Sequence, residues 1–294
     1  MTLDGGLWVA LATPFLPDGV LDLPNFERLV RHVRAGGADV LVALGSTGEA
    51  TALDDGERDA VIRRTLAAAG GAPVVAGCTA SATAVACRHA ARAQQLGAHG
   101  ALVAVPPYVK PTPAGIVAHF AAIERAAPGL PLIAYNIPGR TGCNLQPATV
   151  QELWRLPAVR GLKESSGDLA QIAVIAAAVP EDRLLLAGDD PLALPSFAVG
   201  AQGLVSVAGN VVPAPLRELV YAAREGQLAR ACAAHERLQP LFAALSLEPN
   251  PIPLKSAMAL LGFGGDALRL PLLPAQEATR GKVAAALRAL GALR

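Results

Sequence analysis

Eight short apolar runs, each followed by a stretch of helical spacing, constrain this chain more than any other feature. The runs are LWVALAT (7–13), DVLVALG (39–45), PVVAGC (73–78), GALVAVP (100–106), PLIAYN (131–136), VRGLKES (159–165), RLLLAGD (183–189) and GLVSVAG (203–209). Helical spacing or composition fills 24–35, 56–69, 82–96, 113–127, 147–155, 169–178, 191–199 and 213–224. Some helix starts carry their own signals, with Pro24 in a first turn and Asp168 at an N-cap. Strands that are apolar on both faces and separated by helices imply a parallel sheet covered by helices. Eight such repeats ending at residue 224 fit a closed (β/α)8 TIM barrel, a fold of typically ~250 residues. A doubly wound open sheet is the competing architecture, but no GxGxxG turn follows the first strand. Beyond residue 224 the strand pattern stops, and three helical stretches remain near 225–245, 253–262 and 274–290. The expected division is a catalytic barrel over 1–224 and a C-terminal helical domain over 225–294.

Charge and composition exclude several functions. The net charge is +1 with no basic or acidic block, so electrostatic capture of nucleic acid or of a membrane surface is not expected. The longest uncharged run, Pro191 to Leu216, is broken by four prolines and three glycines. A membrane helix needs roughly 20 consecutive apolar residues without such interruption. The start, MTLDGG, lacks the basic and apolar segments of a signal peptide. Cys78, Cys87, Cys143 and Cys232 show no CxxC spacing, which suits reduced thiols in the cytoplasm. The five histidines form no HxH or HExxH pattern, so neither a metal nor another cofactor is expected.

In such barrels the reactive groups sit at the C-terminal ends of strands and in the loops that follow. The unusual residues fall at those places: GSTGE (45–49), PPYVKPT (106–112), YNIPGRTG (135–142), Lys163 in GLKESSGD, and GDD (188–190). The chain has four lysines against twenty-one arginines, which makes a lysine at a strand end conspicuous. Gly161, Lys163 and Ser165 share one strand face, and Leu162 and Glu164 the other. If the first face lines the lumen, desolvation disfavours the ammonium and leaves a neutral amine able to attack a carbonyl. Arginine cannot do this, because its guanidinium stays protonated. The alternative is a lysine that snorkels to solvent or pairs with Asp189. Tyr135 can shuttle protons beside an imine-forming lysine, or be a core tyrosine. Ser46 and Thr47 can orient a carboxylate or relay a proton, or simply form a turn. Arg140 can hold a carboxylate bidentately, or be an exposed loop arginine.

Taken together, GSTGEAT, YNIPGRTG, GLKESSGD and NPIPLKSA (250–257) resemble the dihydrodipicolinate synthase family, in the family's order and over nearly the whole chain. The resemblance implies a class I lyase in which Lys163 forms an imine with pyruvate. The derived enamine attacks aspartate semialdehyde, and cyclisation gives 4-hydroxy-tetrahydrodipicolinate, an early intermediate of diaminopimelate and lysine synthesis. It also implies that Tyr135 donates and accepts protons and that Thr47 links it to Tyr108, which reaches in from a neighbouring subunit. Arg140 would grip the semialdehyde carboxylate, while Ser46 and the backbone around Val205 hold pyruvate. A homotetramer, as a dimer of dimers, is implied in turn.

The chain departs from the family pattern in two places. Position 46 is serine where the family usually has threonine, as in the related N-acetylneuraminate lyases. Pro107-Tyr108-Val109 keeps only the second residue of the family's Tyr-Tyr-Asn. A pyruvate-dependent aldolase acting on a sugar acid is therefore one rival, opposed by Arg140 and NPIP. A silent paralogue that only binds a 2-oxo acid is another, opposed by Lys163, Tyr135, Thr47 and Tyr108. In family members inhibited by lysine, the effector cleft carries two histidines, an asparagine, a glutamate and a tyrosine. The matching positions here are Asp55, Arg58, Ser81, Val85 and Pro107. Lysine is expected to be a poor inhibitor, because valine offers no acceptor for a shielded ammonium.

Overall fold

The computed structural model describes residues 3–293. Its eight strands are β1 (Gly6–Ala10), β2 (Val40–Ala43), β3 (Val74–Gly77), β4 (Gly100–Ala104), β5 (Leu132–Asn136), β6 (Val159–Glu164), β7 (Leu184–Ala187) and β8 (Gly203–Ser206). They close into a barrel in sequence order, and β1 pairs in parallel with both β2 and β8. Each strand lies within or against an expected run, but the ladder stops earlier than hydrophobicity suggested. β2 ends because Leu44 turns to φ +59°, a left-handed conformation that no strand tolerates. The terminal residues of the apolar runs thus become loops at the mouth of the barrel.

The outer helices are α1 (Leu23–Ala35), α2 (Asp55–Ala68), α3 (Thr83–Gln95), α4 (Pro113–Ala126), α5 (Pro138–Thr141), α6 (Pro147–Trp154), α7 (Leu169–Ala176), α8 (Ala193–Ala198) and α9 (Pro213–Arg224). Their starts follow capping chemistry. Asp54 and Glu57 form a reciprocal capping box on α2, and Asp168 accepts the N–H groups of Ala170 and Gln171 on α7. The single-turn α5 had no periodic signature, since four residues are too few to show one.

Strand alternation divides the core in two. Trp8, Val40, Val42, Leu102, Ile133, Tyr135, Leu186 and Val205 fill the lumen. Leu7, Val9, Leu41, Val74, Leu132 and Leu204 point outward against the helices. The C-terminal helices α10 (Leu228–Leu245), α11 (Ile252–Leu260) and α12 (Glu277–Ala289) have no core of their own. Their Leu238, Leu241, Phe242, Leu254, Met258, Val283 and Leu287 belong to the same continuous cluster as the barrel's outer face. Burying each of the larger of these contributes roughly 1.5–3 kcal/mol, and together they fasten the segment onto the barrel. Among the described residues no helix is long and apolar enough to cross a membrane.

Candidate active site

Register decides where Lys163 points. It pairs with Tyr135 of β5 on one side and with Leu186 of β7 on the other, and both of these are lumen residues. Lys163 is only 4% exposed, so it does not snorkel. Its Nζ lies 4.2 Å from the centroid of the Tyr135 ring, within reach of the ring's negative face. Among the described residues Lys163 forms no ion pair. Asp189 stands on the same cavity wall with its carboxyl pushed up by burial, an effect the Lys163 charge opposes. Gly188 makes the crowding possible. A Cβ there would sit 2.9 Å from Lys163 Cε and 1.9 Å from Ser165 Oγ.

On the opposite face of the same two strands, Asn136 and Glu164 stiffen the ends of β5 and β6. Asn136 Nδ2 donates to both Glu164 carboxylate oxygens, at 3.1 and 2.9 Å, and its Oδ1 accepts the Leu145 N–H at 2.9 Å. Glu164 also accepts the Ser166 N–H at 2.6 Å. Burial still raises the Glu164 carboxyl above the usual range, against those bonds. The pair holds the backbone on which Tyr135 and Lys163 ride.

The loop after β2 is built from unusual backbone. Leu44 and Glu49 both take positive φ, +59° and +51°, on either side of a one-turn helix at Ser46–Gly48. The Leu44 carbonyl faces β3 so closely that a Cβ on Gly77 would lie 1.9 Å from it. Thr13 Oγ1 donates to the Gly48 carbonyl at 2.9 Å. Glu49 is buried and ion-paired with Lys255 of α11, which is itself 0% exposed and lies 3.9 Å from the Phe15 ring centroid. Glu49 Oε2 also accepts the Arg269 N–H at 3.0 Å. Thr47, 2% exposed, accepts a hydrogen bond from Asn250 Nδ2 at 3.0 Å.

These elements enclose a cavity of ≈ 200 Å³ lined by Ser46, Thr47, Tyr135, Arg140, Lys163 and Asn250 among others, with Phe242 of α10 also in its wall. Arg140 is exposed at the rim, and its Nη2 donates to the Asn250 carbonyl at 2.7 Å. An adjoining cleft of ≈ 550 Å³ shares Ser46, Tyr135, Arg140 and Asn250 and opens toward Pro107 and Leu270. The volume fits a small oxo acid, with a second small polar molecule entering from the cleft. A wider depression at the opposite end of the barrel, lined by Asp39 and Tyr221, lies on the face that serves stability in this fold.

Five of the expected site residues therefore converge: Ser46, Thr47, Tyr135, Arg140 and Lys163. Two do not line this cavity. Val205 is fully buried in the lumen, paired with Trp8, and Val207 just beyond it lines the wall. Tyr108 is 90% exposed with φ +73°, on a loop held by a bond from its own N–H to the Thr141 carbonyl at 3.2 Å. Asn250, Gly188 and the Asn136–Glu164 pair were not anticipated as working parts. NPIP and GDD drew attention to two of these positions without showing what they touch.

Comparison with known proteins agrees with this geometry. A family model described as the dihydrodipicolinate synthetase family matches residues 4–290. The 4-hydroxy-tetrahydrodipicolinate synthase of Xanthomonas axonopodis pv. citri is 45% identical over 98% of this chain and 96% of its own. Dihydrodipicolinate synthase from Thermotoga maritima superposes with a TM-score of 0.97 at 36% identity, covering 99% of this chain and 100% of that one. The Acinetobacter baumannii enzyme, solved with pyruvate, gives 0.96 at 35% identity, covering 99% and 100%. The match over almost the full length, on a closed barrel with a buried strand-end lysine, leads to one conclusion: the chain belongs to the dihydrodipicolinate synthetase family.

Proposed function

We infer that this protein is a Schiff-base lyase, a 4-hydroxy-tetrahydrodipicolinate synthase that condenses pyruvate with L-aspartate 4-semialdehyde in lysine and diaminopimelate biosynthesis. The observation that carries the reading is a lysine 4% exposed, against a tyrosine ring, in a cavity sized for a small oxo acid. Lys163 Nζ attacks C2 of pyruvate, and water leaves to give an iminium. Loss of a C3 proton gives the enamine, whose C3 attacks the aldehyde carbon and forms the new C–C bond. The substrate's own amine then adds to the iminium carbon, closes the ring and displaces Lys163.

Each step moves a proton at the wall where Tyr135 and Thr47 stand, and these are its donor and relay. Arg140 at the rim grips the semialdehyde carboxylate, a role its planar fork suits. Ser46 and the backbone around Val205 hold pyruvate. In this reading Tyr108, extended on an exposed loop, completes the relay of a neighbouring subunit within a homotetramer. Residues 1–224 carry the chemistry and 225–294 form the helical domain. The four free thiols suit a cytoplasmic site of action.

Pyruvate with borohydride tests the reading. Covalent label at Lys163, seen by intact mass and peptide mapping, together with pyruvate-dependent turnover of aspartate semialdehyde, is the expected result. Label on another lysine, or none at saturating pyruvate, would remove it.

A further inference from the structure

We propose that Glu49 is a positioning residue for pyruvate, whose buried carboxylate, clamped by the C-terminal segment, holds the strained turn that presents Ser46 to the cavity; this rests on reading Ser46 as a pyruvate contact. Glu49 joins two single turns, Ser46–Gly48 and Ala50–Ala52, and takes φ +51° and ψ +37°. A residue other than glycine leaves this left-handed region unless its surroundings hold it there. Ser46 begins the first turn and lines both the ≈ 200 Å³ cavity and the adjoining cleft. Where Ser46 stands therefore depends on the turn at Glu49 being kept.

Each carboxylate oxygen of Glu49 has its own partner beyond the barrel. Oε1 pairs with Lys255 Nζ of α11, and Oε2 accepts the Arg269 N–H at 3.0 Å. Those partners are fixed in turn. Lys255, 0% exposed, also donates to the Ala267 carbonyl at 2.8 Å, and Arg269 Nη1 donates at 2.7 Å to the carbonyl of Ala52, the last residue of the second turn. The C-terminal segment thus grips the loop at Glu49 and again at Ala52. A buried ion pair adds little stability over an apolar pair of the same volume. What it supplies here is a fixed place for the Glu49 carboxylate. Neither Glu49 nor Lys255 lines the cavity around Lys163, so the carboxylate acts through Ser46 and not by touching pyruvate.

Two variants separate position from stability. Lys255→Met alone strands the Glu49 charge and should lower both Tm and the affinity for pyruvate. Glu49→Gln combined with Lys255→Met removes both charges, nearly keeps the volume and leaves an amide oxygen for the Arg269 N–H. That double variant should regain most of the lost Tm, while its turn, no longer gripped, relaxes whenever pyruvate is absent. The strain of one left-handed residue corresponds to roughly 5- to 150-fold in an equilibrium, so the pyruvate concentration giving half-maximal borohydride trapping should rise by about tenfold. At saturating pyruvate kcat should stay within about threefold, because the lost interaction serves binding alone. A merely structural pair makes affinity follow stability, so recovery of Tm and of pyruvate affinity together in the double variant overturns the proposal. Should the double variant fail to fold, Glu49→Asp decides, since it keeps the charge and draws the carboxylate back by one methylene; wild-type affinity for pyruvate in that protein overturns the proposal equally. Failure of the functional reading shows separately, as a wild-type protein that pyruvate and borohydride do not label, or a Ser46→Ala variant with unchanged affinity for pyruvate.

Discussion

Gly188→Ala adds one methyl group at the most crowded point of the site. Gly188 is not among the positive-φ glycines, so alanine brings no backbone strain and the effect is one of space. The new Cβ would lie 2.9 Å from Lys163 Cε, 1.9 Å from Ser165 Oγ and 3.0 Å from the Glu164 carbonyl oxygen. Carbon atoms settle at about 3.5–4.0 Å, so Lys163 Cε must retreat by roughly 0.6–1 Å. Ser165 must also turn, because its Oγ has no room beside the new methyl group. A displacement of ~1 Å at a reacting group costs on the order of 10²-fold in rate, so kcat should fall by about 30- to 100-fold. Overpacking of this kind costs about 1–3 kcal/mol of stability, a loss of several degrees in Tm. The decisive measurement is the rate of borohydride-trapped imine at saturating pyruvate, followed by intact mass beside a melting curve. Trapping and turnover at wild-type rates would show that Lys163 escapes the methyl at no cost and that its packing does not set its reactivity.

Lys255→Met should strand the buried Glu49 carboxylate and cost about 3–5 kcal/mol, read as a drop in Tm. Burial lowers Lys255 from 10.5 to about 8, so across that window the unfolded chain holds a proton the folded one lacks; the stability gap between wild type and Lys255→Met should widen as pH rises from 7 to 10, and a flat or narrowing gap refutes the shift. Mixing inactive Lys163→Ala with inactive Tyr108→Phe should restore part of the activity once subunits exchange. No recovery despite demonstrated exchange would mean that each subunit holds a complete site. Lysine at millimolar concentration should barely inhibit. The Arg58 guanidinium, donating to the Gly77 carbonyl at 2.6 Å, is buried beside Asp55 and His89 in a cleft that holds two of the five matching positions, where it repels an ammonium. Strong inhibition below a millimolar would refute this.

The barrel was legible because buried strands and amphipathic helices write their periods directly into the chain. Lys163 was legible because alternation along β6 placed it opposite Leu162 and because a lysine at a strand end is unusual. The supports around it were not. Leu44 gives no sign of adopting φ +59°, since room for its carbonyl depends on the missing side chain of Gly77 in the next strand. Asn250 lies 203 residues from Thr47, and no local pattern encodes their bond. The early end of β2 was hidden as well, because a strand's end cannot be located to within two residues from hydrophobicity.

The bond between Thr47 and Asn250 also orders events in time. A chain emerging from the ribosome completes all eight strands by Ser206, before Asn250 has been made. At that stage its lysine can already be lodged in a barrel, while the loop after β2 lacks both of its C-terminal ties. Competence for the full reaction therefore arrives late in synthesis and in one step, when α11 docks. A transcript ending prematurely after the barrel would yield a buried lysine beside a loop left untied.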